Sequence, residues 1–235
     1  METENNEGLA FFNGSPVRKE DYPIHNTIVD DEELKAVEEV LKGGHLSGFS
    51  GRAGERFLGG EKVKEFEKSL SDFYKVKHAI TFNSATSALH ASMAAIRIDV
   101  GDEVIVSPFT MIASATCVLM NNGTPVFADI DENTYNLDPA SIEERITPKT
   151  KAIILVNLFG QPANLVKIQE IAKKHNLILI EDNAQAPGAF YNDKLAGTYG
   201  DMGILSFNYH KHIQVGEGGA ILTDNDDLAL KLQLI

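Results

Sequence analysis

Two hydrophobic periods alternate along most of the chain. Residues 30–44, DDEELKAVEEVLKGG, place Leu34, Val37, Val40 and Leu41 at helical spacing, with acidic residues at the start and glycines at the end, which predicts a helix. Residues 61–75, EKVKEFEKSLSDFYK, are amphipathic in the same way. From Lys77 onward the runs HAITF, EVIVS, PVFADI, AIILVNLF, LILIED, GILSFN and GAILTD alternate with helical segments. Several of these runs are almost continuously apolar, as strands covered on both faces are, and the segments between several of them are long enough for crossover helices. The pattern predicts an α/β fold with a mostly parallel central sheet and helices on both faces. Residues 44–60 are glycine-rich and lack a period, so they read as a long loop able to cover a site. The division expected is an arm over residues 1–29, one large domain over 30–225, and the start of a further helix over 226–235, where the sequence stops without a cap.

With 235 residues and 43% hydrophobic content the chain can bury a sizeable core. Its 34 acidic against 21 basic residues give a formal charge of −13, which argues against nucleic acid or an anionic membrane as partner and requires any phosphate to be gripped locally. The single cysteine, Cys117, excludes an intrachain disulfide and fits a reducing compartment. The start METENNEGLAFF has neither the basic nor the apolar region of a signal peptide, and no apolar run approaches membrane-spanning length. A cytoplasmic protein is expected.

Ligands of open α/β sheets bind beyond the carboxyl ends of the strands, so the residues that follow each run carry the candidate chemistry. After HAITF come Asn83, Ser84 and Thr86, leading into an apolar helix; Ser84 reads either as an N-cap or as part of a phosphate cradle at a helix N-terminus. LILIED ends on Asp182, a carboxylate on a buried strand that needs a partner. After GILSFN, the stretch SFNYHKHIQVGEGG holds Ser206 and Lys211. The flanking His210 and His212 lack a third ligand at useful spacing, so no metal site is expected. GEGG, residues 216–219, reads as a flexible turn before the last run, and no dinucleotide or P-loop fingerprint is present. A phosphate cradle, a semi-buried carboxylate and a lysine at one sheet edge suit pyridoxal 5′-phosphate, which needs an amine for a Schiff base, an acid against its pyridine nitrogen and donors for its phosphate. Burial and cationic neighbours lower a lysine's pKa and favour that role.

NSATSALH, GDEVIVSPFT, TPVFADID, EDNAQAPGA and SFNYHKHIQVGEGG, in that order, resemble the DegT/DnrJ/StrS-type sugar aminotransferases, which have the aspartate aminotransferase fold. The resemblance runs from Asp30 nearly to the end of the chain. It implies that Lys211 carries the Schiff base and moves the proton, that Asp182 pairs with the pyridine nitrogen, and that Gln185 bonds the phenolic oxygen. It further implies that Ser84, the amides of Ala85 and Thr86, and the Ser206 hydroxyl hold the phosphate. Two residues depart from the family's habit: Ala85 stands where glycine is usual, and Met111 stands where an aromatic commonly covers the cofactor ring. Phe109 is the other residue considered for that cover.

The reaction implied is transfer of an amino group from L-glutamate, in some relatives glutamine, to a nucleotide-linked ketosugar by a homodimer, in aminosugar and surface-polysaccharide biosynthesis. Relatives with histidine in place of the lysine are dehydratases; the S-F-x-x-x-K spacing here lands on Lys211. Family members also continue into a C-terminal small domain, which is absent here. The alternatives are a keto-cyclitol (inosose) aminotransferase, suggested by the opening LAFFNGSPVR, and a truncated paralogue that binds pyridoxal phosphate without turnover.

Overall fold

The computed structural model describes residues 14–16, 20, 29–49, 54 and 57–235. Most of the expected arm and residues 50–53, 55 and 56 of the expected loop lie outside the described residues. The chain divides into two units, residues 1–44 and 45–235. In the first, α1 (Asp31–Gly43) forms where the spacing predicts it. Asp30 Oδ1 accepts from Glu32 N at 2.9 Å, Glu33 Oε2 accepts from Asp30 N at 2.9 Å, and Gly44 closes the helix in the left-handed region at φ 72°.

The second unit begins with α2 (Glu61–Tyr74) and is built on a seven-stranded sheet. Its strands are β1 (His78–Phe82), β2 (Glu103–Val106), β3 (Thr124–Phe127), β4 (Thr150–Val156), β5 (Ile178–Asp182), β8 (Met202–Ser206) and β9 (Gly219–Thr223). A separate hairpin, β6 (Phe190–Tyr191) and β7 (Lys194–Leu195), turns through Asn192 and Asp193, both at positive φ. The sheet order is β1-β9-β8-β5-β4-β2-β3, with β9 antiparallel to both neighbours and the other pairs parallel. The mostly parallel sheet expected from the sequence is therefore present, with one reversed strand.

Side-chain alternation assigns the layers. Val104, Val106, Ile154, Ile180, Ile204 and Ile221 pack with residues of α3 (Ala85–Ala95), α4 (Ala113–Met120) and α7 (Asp226–Leu234), among them Met93, Val118 and Leu232. Their strand neighbours Ile105, Ile153, Leu155 and Leu179 pack with Ile142 of α5 (Pro139–Arg145) and Leu165, Ile168 and Ile171 of α6 (Leu165–His175). The same alternation separates the adjacent acids at the end of β5. Asp182 is in register with Ile204 and shares its face, towards α3 and α4, whereas Glu181 is in register with Gly203 and faces the other layer.

Glu181 is completely buried, and the sequence provides for it. A Cβ on Gly203 would lie 1.9 Å from Gly197 O, so only glycine lets the turn at residues 197–200 rest on the sheet beside Glu181. Glu181 then accepts from Gly197 N and Gly200 N, each at 2.7 Å, from Tyr199 N, and from Asn157 Nδ2 at 3.5 Å. Burial pushes its pKa up and these donors oppose the rise. Since donors approach both oxygens, the geometry suits the anion. Glu181→Ala would leave two buried amides and the part-buried Gly200 amide unpartnered, at about 1 to 3 kcal/mol for each buried one, so we expect a loss on the order of 3 kcal/mol in urea denaturation, with Glu181→Gln intermediate. A loss below about 1 kcal/mol for the alanine variant would contradict this role.

Candidate functional site

The carboxyl edge of the sheet gathers the residues singled out in the sequence. Ser84 leaves β1 in an extended conformation and its Oγ accepts from Ser87 N at 3.1 Å, capping α3. Ala85 and Thr86 are the first two residues of α3, where backbone amides have no partner within the helix. Phe82, Gly219 and Ser206 lie side by side across β1, β9 and β8, which brings Ser206 to the start of α3. Ser206 is buried, and its Oγ accepts from Asn208 N at 3.4 Å. A Cβ on Gly219 would fall 2.4 Å from Ser84 C and 2.5 Å from Ala85 N. The GEGG motif is thus more than a flexible turn: Gly216 supplies a positive φ of 86°, while Gly219 supplies the space that lets α3 meet the sheet.

Asp182 is 5% exposed. Its Oδ2 accepts from Ser114 Oγ at 3.0 Å and its Oδ1 from Ala184 N at 3.2 Å. Burial raises its pKa; the two donors and the charge of Lys211 oppose that rise. Cys117, one turn along α4 from Ser114, is pushed up to about 12 by burial and by the charge of Asp182, which leaves it an inert thiol at neutral pH.

Lys211 stands on the connection between β8 and β9. The base of that connection is closed by Phe207 N donating to Gly218 O at 2.8 Å and Val215 N donating to Phe207 O at 3.0 Å. Asn208 Nδ2 reaches both oxygens of Glu217 at 2.8 Å, and Lys211 N donates to Asn208 O at 2.9 Å. The Lys211 amine is half-buried; desolvation lowers its pKa and the Asp182 charge opposes the fall. His210 packs edge-on against Tyr209 at 5.3 Å, and His212 is exposed. Among the described residues no group of three or more His, Cys, Asp and Glu side chains could hold a metal ion.

Gln185 Oε1 accepts from Phe159 N at 2.9 Å, which orients the side-chain amide. Met111 is exposed at the start of α4, where its sulfur accepts from Ala113 N at 3.3 Å. Phe109 lies 5.9 Å from Tyr135 and 6.2 Å from Phe159 in a cluster of exposed rings. Two groups escaped the sequence reading. Ser114 sits in the run IASATCVLM, where only the register of α4 against β5 brings it to Asp182. Thr110, in the motif SPFT, has a buried hydroxyl with no hydrogen-bond partner among the described residues.

The domain is thus of the α/β class and presents a helix N-terminus, a buried carboxylate and a half-buried lysine at one sheet edge. The chain belongs to the DegT/DnrJ/EryC1/StrS aminotransferase family, whose pattern matches residues 27–235. It is 49% identical over 176 residues to GDP-perosamine synthase of Caulobacter vibrioides, covering 75% of this chain and 47% of that protein. It is 38% identical over 226 residues to L-glutamine:2-deoxy-scyllo-inosose aminotransferase of Streptomyces kanamyceticus, covering 96% of this chain and 52% of that protein. A crystal structure of GDP-4-keto-6-deoxymannose-3-dehydratase with a trapped adduct of pyridoxal phosphate and glutamate superposes with a TM-score of 0.80 at 34% identity, covering 90% of this chain and 54% of that one. The chain thus spans about half the length of the curated relatives it matches.

The charge of Asp182 holds the Lys211 pKa up against desolvation. Asp182→Asn should therefore lower it further, and the rate at which an acylating reagent labels Lys211, followed by peptide mass spectrometry across pH, should reach its midpoint at lower pH in the variant. An unchanged or higher midpoint would contradict the pairing.

Proposed function

We propose that this chain is the cofactor-binding part of a pyridoxal-phosphate-dependent aminotransferase that moves an amino group from L-glutamate to a nucleotide-linked ketosugar as a homodimer. In this reading the cofactor-binding domain is residues 30–225, with α7 packed onto it. The observation that carries the reading is the coincidence, at one sheet edge, of Lys211 with Asp182 and the start of α3. Family membership and the names of the relatives support it.

The residues present fit the cofactor. The first-turn amides of Ala85 and Thr86 carry the partial positive charge of a helix N-terminus, and the Ser206 hydroxyl lies beside them, so these groups would hold a phosphate there through dipoles and a hydroxyl. Asp182 has one donor on each oxygen, which leaves lone pairs for a ring N–H. With Gln185 Oε1 committed to Phe159 N, its amide N–H groups are left to donate to a phenolic oxygen. The orphaned Thr110 hydroxyl is a further polar atom that a ligand would satisfy. When bound, pyridoxal phosphate supplies an aldehyde that captures amines and a protonated ring that withdraws electrons from the bond being broken.

The protein's share follows from its own groups. A lysine whose pKa is lowered by partial burial has more neutral amine at neutral pH than an exposed one, so Lys211 is suited both to attack a carbonyl and to carry a proton. Asp182, whose charged form Ser114 and Ala184 favour against burial, would hold a proton on the ring nitrogen of the bound cofactor. The clasp between Asn208 and Glu217 fixes both ends of the loop that presents Lys211. The match to the inosose aminotransferase over 226 residues favours a keto-cyclitol as the second reading of the acceptor.

The test is the absorption spectrum of the purified chain with pyridoxal phosphate, before and after L-glutamate. We expect a visible band from covalently held cofactor that Lys211→Ala lacks and that glutamate bleaches, after which product analysis with nucleotide ketosugars and with inososes separates the two acceptors. A folded chain that forms no Lys211-dependent band would overturn the proposal.

A further inference from the structure

Helical serines in this chain ordinarily return their hydroxyl proton to their own helix. Ser69 Oγ donates to Glu65 O, Ser71 Oγ to Lys68 O and Ser92 Oγ to Ala88 O, each at 2.9 Å. Ser114 does otherwise. It is fully buried near the start of α4, and its Oγ donates at 3.0 Å to Asp182 Oδ2, a residue 68 positions away on β5. Packing alone gives no reason for a hydroxyl here, since Ala113 and Ala115 flank it and alanine would let α4 approach the sheet equally well. Among the described residues it is the one side chain that donates a hydrogen bond to Asp182; the other donor is the backbone of Ala184.

We propose that Ser114 is a positioning residue, which fixes the plane of the Asp182 carboxylate and keeps it ionised against the ring nitrogen of pyridoxal phosphate. The inference rests on the reading of this edge as a pyridoxal phosphate site. The hydroxyl and the Ala184 amide hold one oxygen each, so the carboxylate cannot rotate without breaking both bonds. A hydrogen bond donated to a buried anion offsets part of its desolvation and so favours the charged form. Among the described residues, the ionisable groups that act on Asp182 are the Cys117 thiol on the helix that carries Ser114 and the Lys211 amine on the β8–β9 connection, while the adjacent Glu181 faces the other layer of the sheet. Cys117 stays neutral, and Lys211 favours the charged form of Asp182 as Ser114 does. The backbone of Ser114 is held in turn, its carbonyl accepting from Cys117 Sγ at 3.4 Å.

A role through the ring nitrogen can be told from a role in folding by comparing two ligands. Dissociation constants would be measured for pyridoxal phosphate and for 1-deazapyridoxal phosphate, in which C–H replaces the ring nitrogen, with the wild-type chain, Ser114→Ala and Ser114→Cys. Loss of one hydrogen bond to a charged group should weaken pyridoxal phosphate about tenfold in Ser114→Ala while leaving the deaza compound within about twofold of wild type. Ser114→Cys, close in volume and a weaker donor, should fall between, and it carries the comparison if the alanine variant does not fold. Equal weakening of both ligands, or of neither, would overturn the role assigned to Ser114 alone. A wild-type chain that takes up neither compound would overturn the cofactor reading and this inference with it.

Discussion

The site depends on two adjacent carboxylates at the end of β5 that must both be buried. A strand's period of two sends Glu181 and Asp182 to opposite faces of the sheet, so they never share a pocket and neither is forced to give up its charge to the other. Each is then satisfied to a different degree. Glu181 meets three backbone amides and a side-chain amide, which is a complete set for a structural anion. Among the described residues Asp182 meets two donors, and that shortfall makes it the chemically available member of the pair. A buried carboxylate with unused lone pairs is costly until something cationic arrives, and among the described residues Lys211 is the cation whose charge acts on it.

Holding Asp182 in place after the strand ladder ends falls to a set of buried amides. Asn157 N donates to Asp182 O at 3.0 Å, and Asn157 Nδ2 donates to Asn183 Oδ1 at 2.9 Å. Asn157 Oδ1 accepts from Ala163 N at 2.9 Å, while Asn183 N donates to Ile204 O at 2.9 Å. These bonds tie the ends of β4, β5 and β8 together. They also fix the origin of the following turn, in which Phe159 sits at φ 54°, a conformation that costs on the order of 1 to 3 kcal/mol for a bulky residue. The turn aims the Phe159 amide at Gln185, so strain in one loop orients a side chain in another.

The sheet was legible because several strands are almost continuous apolar runs, and α1 and α2 because their apolar residues recur at three and four. Direction was not legible: GAILTD reads the same in a parallel or antiparallel strand, and only its position between β1 and β8 reverses it. The run PVFADI yields a strand that stops at Phe127, since Asp131 Oδ1 collects the Asn133 and Thr134 amides in a turn of its own. AIILVNLF likewise stops as a strand at Val156, where Asn157 leaves the ladder. Asp182, Ser206 and Lys211 could be picked out because each ends or follows a strand. Ser114 could not, since IASATCVLM has the composition of plain helix core and the signal lies in a helix register fixed by tertiary packing. Gly219 was visible as a glycine, but its reason is a backbone approach that the sequence does not encode locally.

The charge of −13 sets a further condition on what this edge can recognise. The nucleotide-linked substrate proposed above would itself be an anion, which the long-range field of the chain would repel. At physiological ionic strength that field is screened beyond about 8 Å, and groups at contact distance decide the outcome. The α3 amides do not titrate and lose nothing to the net charge, because a helix N-terminus presents fixed dipoles over a single turn. Lys211 differs, since its charge is already opposed by burial. Among the described residues, anion recognition at this edge would therefore fall to backbone dipoles and hydroxyls, and in the proposed reading Lys211 could change its protonation state without loosening a phosphate held there.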